Sequence, residues 1–180
     1  MTTRAVRGEA QPSALTARGP AITGSVTVRA ATPADLDTVC ELRLALVREH
    51  RANPLYSQLR PDAPILARRH FAAQLRSSDE VIFLAEHEGR AVGILRCVQV
   101  AGIPLVFPAL HGYISSVYVV PEARRCGVLR QLFGEALAWC RSRGLTEIRL
   151  HNAVENQAAN AAWESLGFET AEYLRVLHIT

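Results

Sequence analysis

Apolar residues recur along this chain with two different periods. In "SVTVRAATPADLDTV", Val26 and Val28 alternate with polar neighbours, as in a half-buried strand. Leu36, Val39, Cys40, Leu44 and Val47 then follow at near-helical spacing. Just ahead of them, Thr32-Pro33-Ala34-Asp35 has the chemistry of a helix start. The threonine can accept from first-turn amides, proline fits the first helical position, and the acid favours the positive helix end. After the loop "RANPLYSQLRPDAP" a second helix is predicted over 65–76. "VIFLAEHEGRAVGILRCVQVAG" predicts a hairpin turning at Glu88-Gly89. A further strand is predicted over 113–120. It is followed by an amphipathic helix starting near Gly127, with Leu129, Leu132, Phe133, Ala136, Leu137 and Cys140 on one face and Gly144 as its stop. "TEIRLHN" predicts a strand, "ENQAANAAWESLGF" a helix closed by Gly167, and "EYLRVLHI" a terminal strand. The order β-α-α-β-β-β-α-β-α-β, without internal repeat, reads as a mixed α/β sheet with helices on its faces.

Composition narrows the class. With 180 residues, 49% apolar and 21% charged, the chain reads as one globular domain. The formal net charge is +3, and Arg4, Arg7 and Arg18 against Glu9 place most of it in residues 1–24. The remainder is nearly balanced, which argues against a nucleic-acid partner. Residues 1–24 are small and polar, with two prolines and no aromatic, and read as a disordered tail before a domain over 25–180. No run approaches the roughly 18 apolar residues that would suggest a membrane span. Cys40, Cys97, Cys126 and Cys140 form no C-x-x-C pair and the six histidines lack helical metal-ligand spacing, so no metal is expected. Reduced thiols and a cytoplasmic location fit this usage.

The candidate chemistry lies in "VVPEARRCGVLRQLF", where a strand turns at Pro121 into a helix through a basic corner. The first amides of a helix have no intrahelical acceptors and carry the positive end of its dipole. Arg124, Arg125 and Arg130 add full charges there, and Gly127 leaves the backbone open to close approach. Such a corner suits a diphosphate. Solvated surface arginines are the alternative reading of the same residues. Neither G-x-G-x-x-G nor G-x-x-x-x-G-K-[ST] occurs at this corner.

"VYVVPEARRCGVLRQLF" resembles the acetyl-CoA signature of the GCN5-related N-acetyltransferases, in which an [Arg/Gln]-x-x-Gly-x-[Gly/Ala] turn follows a strand. Arg124 and Gly127 match, and Leu129 stands at the Gly/Ala position. Downstream, "ENQAANAAWESLGF" resembles the family's Asn-x-x-Ala-x-x-x-Tyr-x-x-x-Gly-Phe segment. Asn156, Ala159, Gly167 and Phe168 are in register and Trp163 replaces the tyrosine. The resemblance implies a mostly antiparallel central sheet flanked by helices on both faces, and acetyl-CoA as co-substrate. It places the diphosphate on Arg124, Arg125, Cys126, Gly127, Val128, Leu129 and Arg130, and the pantetheine arm beside Val119, Asn156 and Ala159. Val117 would aim its backbone N–H at the acetyl carbonyl.

Tyr113 and Ser115 share one strand face and are the candidate catalytic side chains, with a water wire to Glu86 as another route for the proton. Ser115 stands where several relatives carry a carboxylate. Trp163 reads as a packing residue. In the acceptor loop, Arg51, Tyr56 and Arg60 suggest an acceptor bearing a carboxylate or phosphate. The expected activity is acetyl transfer to a primary amine of a small molecule or peptide, by direct attack in a ternary complex of a monomer or homodimer. A catalytically silent acyl-CoA-binding module and a protein-lysine or N-terminal acetyltransferase are the alternatives.

Overall fold

The computed structural model describes residue 22, residues 24–177 and residue 179. The tail over 1–24 thus lies almost wholly outside the described residues. One five-stranded sheet, in sequential order, organises the rest. Its strands are β1 (Thr27–Ala30), β2 (Glu80–His87), β3 (Arg90–Ala101), β4 (Leu110–Val119) and β5 (Ile148–Leu150). The first four are antiparallel neighbours and β5 runs parallel to β4. The helices are α1 (Leu36–Glu49), α2 (Ala63–Gln74), α3 (Val128–Ser142) and α4 (Gln157–Ser165). The sheet is mixed and mostly antiparallel, with helices on both faces, as the sequence predicts.

Local chemistry accounts for the element ends. A 3-10 turn over Pro33–Asp35 leads into α1, and the Asp35 carboxylate accepts from both the Thr32 amide and its hydroxyl at 2.7 and 2.9 Å. The Arg29 guanidinium, bonded to the same carboxylate, holds Asp35 well below the usual carboxylate range. Glu88 and Gly89, with φ of 49° and 75°, make the tight hairpin turn between β2 and β3. Gly144 at φ 69° terminates α3.

Strand alternation sorts the core into two layers. Ile82, Leu84 and Ile94 pack with Val39, Leu42 and Phe71 under α1 and α2. Phe83, Leu95, Cys97 and Ile114 pack with Val128, Leu132, Ala136 and Cys140 of α3 and with Trp163 of α4. Trp163 is 6% exposed and lies edge-on to Phe133 and Phe168, so it is the packing residue the sequence suggests. Cys97 and Cys140 are buried, with sulfurs 3.5 Å apart, whereas Cys40 is only half-buried.

The terminal strand is a correction. Residues 169–177 form no strand, and Tyr173, Leu174, Val176 and Leu177 are exposed. An alternating apolar pattern makes a strand only where a ladder partner exists. Here residues 169–177 pair with no strand of the sheet.

The approach of α3 to the sheet depends on Gly112, where an added Cβ would sit 2.6 Å from the Cys140 sulfur. That sulfur is itself lodged against Cys97 and cannot retreat cheaply. Gly112→Ala should therefore destabilise the fold by about 1–3 kcal/mol in denaturant melts. Adding Cys140→Ala should recover most of that loss. An unchanged midpoint in the single variant would contradict this packing.

Candidate active site

The site begins with a mismatch of strand lengths. β4 and β5 are paired only over Gly112–Ile148, Tyr113–Arg149 and Ile114–Leu150, yet β4 continues to Val119. Beyond Ile114 the edge of β4 facing β5 is open. Against β3 the register slips in the same place: Ser115 opposes Arg96 and Tyr118 opposes Ile94, so Ser116 and Val117 together face Leu95. This is a β-bulge, with Ser116 in the left-handed region at φ 55°.

The bulge decides which amides face the opening. Before it, the Gly112 N–H points toward β5, donating to Glu147 O at 2.9 Å. After it, the Val120 N–H points the other way, to Val92 O at 3.0 Å. Strand amides alternate in direction. Without an extra residue, 112 and 120 would face the same side. The inserted residue turns the Val117 and Val119 amides to the open edge, while their side chains pack into the α3 layer. Core and edge functions of these valines therefore coexist.

β4 then leads through a short 3-10 turn, Pro121–Ala123, into the basic corner. Arg124 is extended, and Arg125 and Gly127 are left-handed at φ 67° and 76°. This alternation makes a concave nest of amides. No side chain caps α3, and its first N–H groups have no intrahelical acceptor. An added Cβ on Gly127 would meet nothing within 4 Å, so the glycine serves its backbone angle and access rather than tight packing. Arg125 and Arg130 are exposed beside the nest and Cys126 is half-buried. Val128 is buried, and Leu129 packs against the α3 core layer rather than into the turn.

Arg124 is placed differently from the sequence expectation. Its Nε donates to Val119 O at 2.8 Å and its Nη2 grips both Glu49 oxygens, at 2.9 and 2.7 Å. The guanidinium also lies 5.6 Å from the Tyr118 ring centre. An ion pair this exposed contributes about 0–1 kcal/mol. Asn156 is likewise engaged locally. It is the N-cap of α4, and its side-chain oxygen accepts from the Ala159 N–H at 3.0 Å.

Polar side chains collect on the opposite face of β4, toward α1 and α2. Tyr113 Oη lies 2.8 Å from His151 Nδ1, and burial pushes the Tyr113 phenol up. Ser115 accepts from Arg96 at 3.0 Å, and Arg96 is ion-paired with Glu80, both largely buried. Losing one member of such a pair costs about 3–5 kcal/mol. Ser115 is thereby committed as an acceptor. Glu86, near the end of β2, accepts from Arg29 at 3.0 and 2.6 Å.

A cleft of about 390 Å³ lies where the end of α1 meets the β5–α4 connection. Glu49, His50, Ala52, Asn53, Ala153, Glu155 and Asn156 line it. Arg51 and Arg60 do not; Arg60 is paired with Asp62 at 2.9 Å. Tyr56 stacks loosely on His50 with ring centres 6.5 Å apart. The cleft thus offers carboxylates, where the loop sequence suggested an anion-binding acceptor site.

Comparison with known proteins identifies the family. Residues 43–168 match the model of the Acetyltransferase (GNAT) family. The chain belongs to the GNAT family of acetyltransferases. It is 30% identical to an aminoglycoside N(6')-acetyltransferase type 1 from Stenotrophomonas maltophilia, over 84% of this chain and 91% of that one. Its fold matches the acetyl-CoA complex of a predicted acetyltransferase from Clostridium acetobutylicum, with a TM-score of 0.71 and 16% identity over 86% of this chain and 96% of that one. It also matches AAC(6')-Iy bound to the bisubstrate analogue CoA-S-monomethyl-acetylneamine, with a TM-score of 0.69 and 20% identity over 87% and 99%. This GNAT chain is accordingly an N-acetyltransferase. Among the described residues no helix is long and apolar enough to cross a membrane, and no cluster of His, Cys, Asp and Glu could hold a metal ion.

Sequence reasoning missed Ser116, His151 and Glu49. Ser116 gives no composition signal because a left-handed strand residue is normally glycine or asparagine. Replacing Ser116 with glycine should keep or raise thermal stability. Ser116→Val should cost about 1–3 kcal/mol and lower kcat/KM for acetyl-CoA. Equal tolerance of valine and glycine would show that the bulge is not strained.

Proposed function

We propose that this GNAT chain transfers the acetyl group of acetyl-CoA directly to a primary amine of a small, cationic molecule. The observation that carries this reading is the open β4 edge, where the bulge at Ser116 aims the Val117 and Val119 amides at one opening beside the nest preceding α3. A pantetheine arm, itself an extended diamide, extends the sheet as an added strand on Val119. The diphosphate takes the amides over 125–130, with the Arg125 and Arg130 side chains around it and Gly127, Cys126, Val128 and Leu129 contributing backbone. Asn156 and Ala159 flank the arm from the start of α4.

The thioester carbonyl then lies against the Val117 N–H. As the amine nitrogen forms its bond to the carbonyl carbon, negative charge grows on oxygen and this pre-aimed donor stabilises it. The carbon–sulfur bond breaks as the tetrahedral intermediate collapses, its nitrogen gives up a second proton to solvent, and CoA leaves as thiolate. Trp163 is packed in the core and indole is no proton donor, so the thiolate takes its proton from solvent.

An alkylammonium, with a pKa of about 10, must first lose a proton. Tyr113 and His151 supply the route on the acceptor face: the phenol takes the proton as it passes its own to the imidazole Nδ1. Ser115 positions Arg96 rather than acting as base. Glu49 and Glu155 in the cleft favour a cationic acceptor. That agrees with the polyamine character of the aminoglycosides named for the similar Stenotrophomonas protein.

The test is an amine panel, including aminoglycosides, diamines and peptides, incubated with acetyl-CoA and read by product mass. Acetylated small cationic amines are expected; acetyl-CoA binding with no acetylated product would refute the assignment. Gly127→Glu, which strains a left-handed position and adds a like charge, should abolish acetyl-CoA binding in calorimetry. His151→Gln should lower kcat by about 10²-fold, the usual scale of base catalysis. KM for acetyl-CoA should stay unchanged; an unaltered kcat would exclude the relay.

A further inference from the structure

Two charged residues of this site occupy helix ends that disfavour them. Glu49 is the last residue of α1, where the dipole is negative, and Arg124 sits in the turn before α3, where it is positive. They are 75 residues apart in sequence and solve the problem jointly, through the two-oxygen grip of Arg124 on Glu49. The same guanidinium covers the Val119 carbonyl, on the open edge of β4. Tyr118 completes the cluster, its ring under Arg124 and its phenol facing the Glu49 charge. Arg124 therefore lies across the edge that the proposed function gives to the pantetheine arm. Glu49 opens onto the cleft that the same reading gives to the acceptor.

We propose that the Glu49–Arg124 pair is an internal latch that couples the two substrates. The donor cannot pair along the β4 edge while Arg124 holds the Val119 carbonyl. On binding, the donor's diphosphate takes Arg124 from Glu49, an exchange of one partly exposed anion for a stronger one. The Glu49 carboxylate is then left at a negative helix end without its counter-ion, facing the cleft. An ammonium group of the acceptor replaces the lost guanidinium. Each substrate thus removes part of the other's cost, and the coupling is reciprocal: whatever factor the donor adds to acceptor affinity, the acceptor adds to donor affinity. This inference rests on the acetyl-CoA site proposed above.

The test is a double-mutant cycle read by calorimetry with acetyl-CoA. Glu49→Gln keeps the shape of the residue and releases Arg124, so it should tighten acetyl-CoA binding by about threefold, the scale of an exposed ion pair. Arg124→Ala should weaken binding. Adding Glu49→Gln to Arg124→Ala should change nothing further, because the latch is already gone. In a second arm, wild-type protein saturated with desulfo-CoA should bind kanamycin, used as a polyammonium probe, more tightly than the empty protein, and Glu49→Gln should lose that gain. Unchanged or weaker acetyl-CoA binding in Glu49→Gln would overturn the latch, as would the same gain with Arg124 absent. Equal or absent kanamycin binding in the empty and loaded wild type would overturn the coupling. A wild-type protein that binds no acetyl-CoA would remove the donor site and the latch together. Normal wild-type binding with an inert Glu49→Gln would remove the latch alone.

Discussion

A β-strand that outruns its neighbour leaves N–H and C=O groups that something must satisfy. In this protein β4 outruns β5 beyond Ile114, and the structure organises itself around that excess. The bulge at Ser116 is what makes the excess useful. A regular strand would turn the Val117 amide toward β3 and leave the opening with the wrong pattern of donors. One inserted residue, held at an angle unfavourable for serine, reverses the pattern while keeping both valine side chains in the core. The local strain is of order 1–3 kcal/mol, small beside the burial of the α3 layer that holds both flanks of the strand.

The two faces of β4 then divide the chemistry. Toward α3 the surface is apolar and supports the donor side, ending in the amide nest before Val128. Toward α1 and α2 it carries Tyr113 with His151, and Ser115 with Arg96 and Glu80. The largely buried Arg96–Glu80 pair is costly to break and so fixes the shape of that face. The exposed Arg124–Glu49 pair is cheap to exchange, which the proposed latch uses. Relative burial, rather than the number of ion pairs, separates scaffold from moving part.

Much of this was legible in the sequence because short-range rules governed it. The Thr32–Asp35 helix start, the Glu88–Gly89 turn, the start of α3 near Gly127, its stop at Gly144 and its apolar face each depend on neighbours within a few residues. What was not legible depends on long-range pairing. Ser116 is ordinary in its local context, and only the register against Leu95 makes it special. Glu49 looks like a solvated helix residue until the fold brings Arg124 to it. His151 follows a short strand whose alignment with Tyr113 is set by the β4–β5 ladder. The terminal segment shows the converse error: an alternating pattern at 172–179 promised a strand, and its described residues over 172–177 find no ladder partner. The Arg51 and Arg60 signal failed for a similar reason, since charge counted along a loop said nothing about Asp62 beside Arg60.

In the proposed function the backbone of the β4 edge and of the turn before α3 receives the donor. Amide hydrogen exchange, resolved by residue with and without saturating CoA, tests it directly. CoA should slow exchange at Val117, Val119 and the amides over 126–130, and leave the β2–β3 ladder unchanged. Protection elsewhere, with those amides exchanging as freely as before, would contradict it.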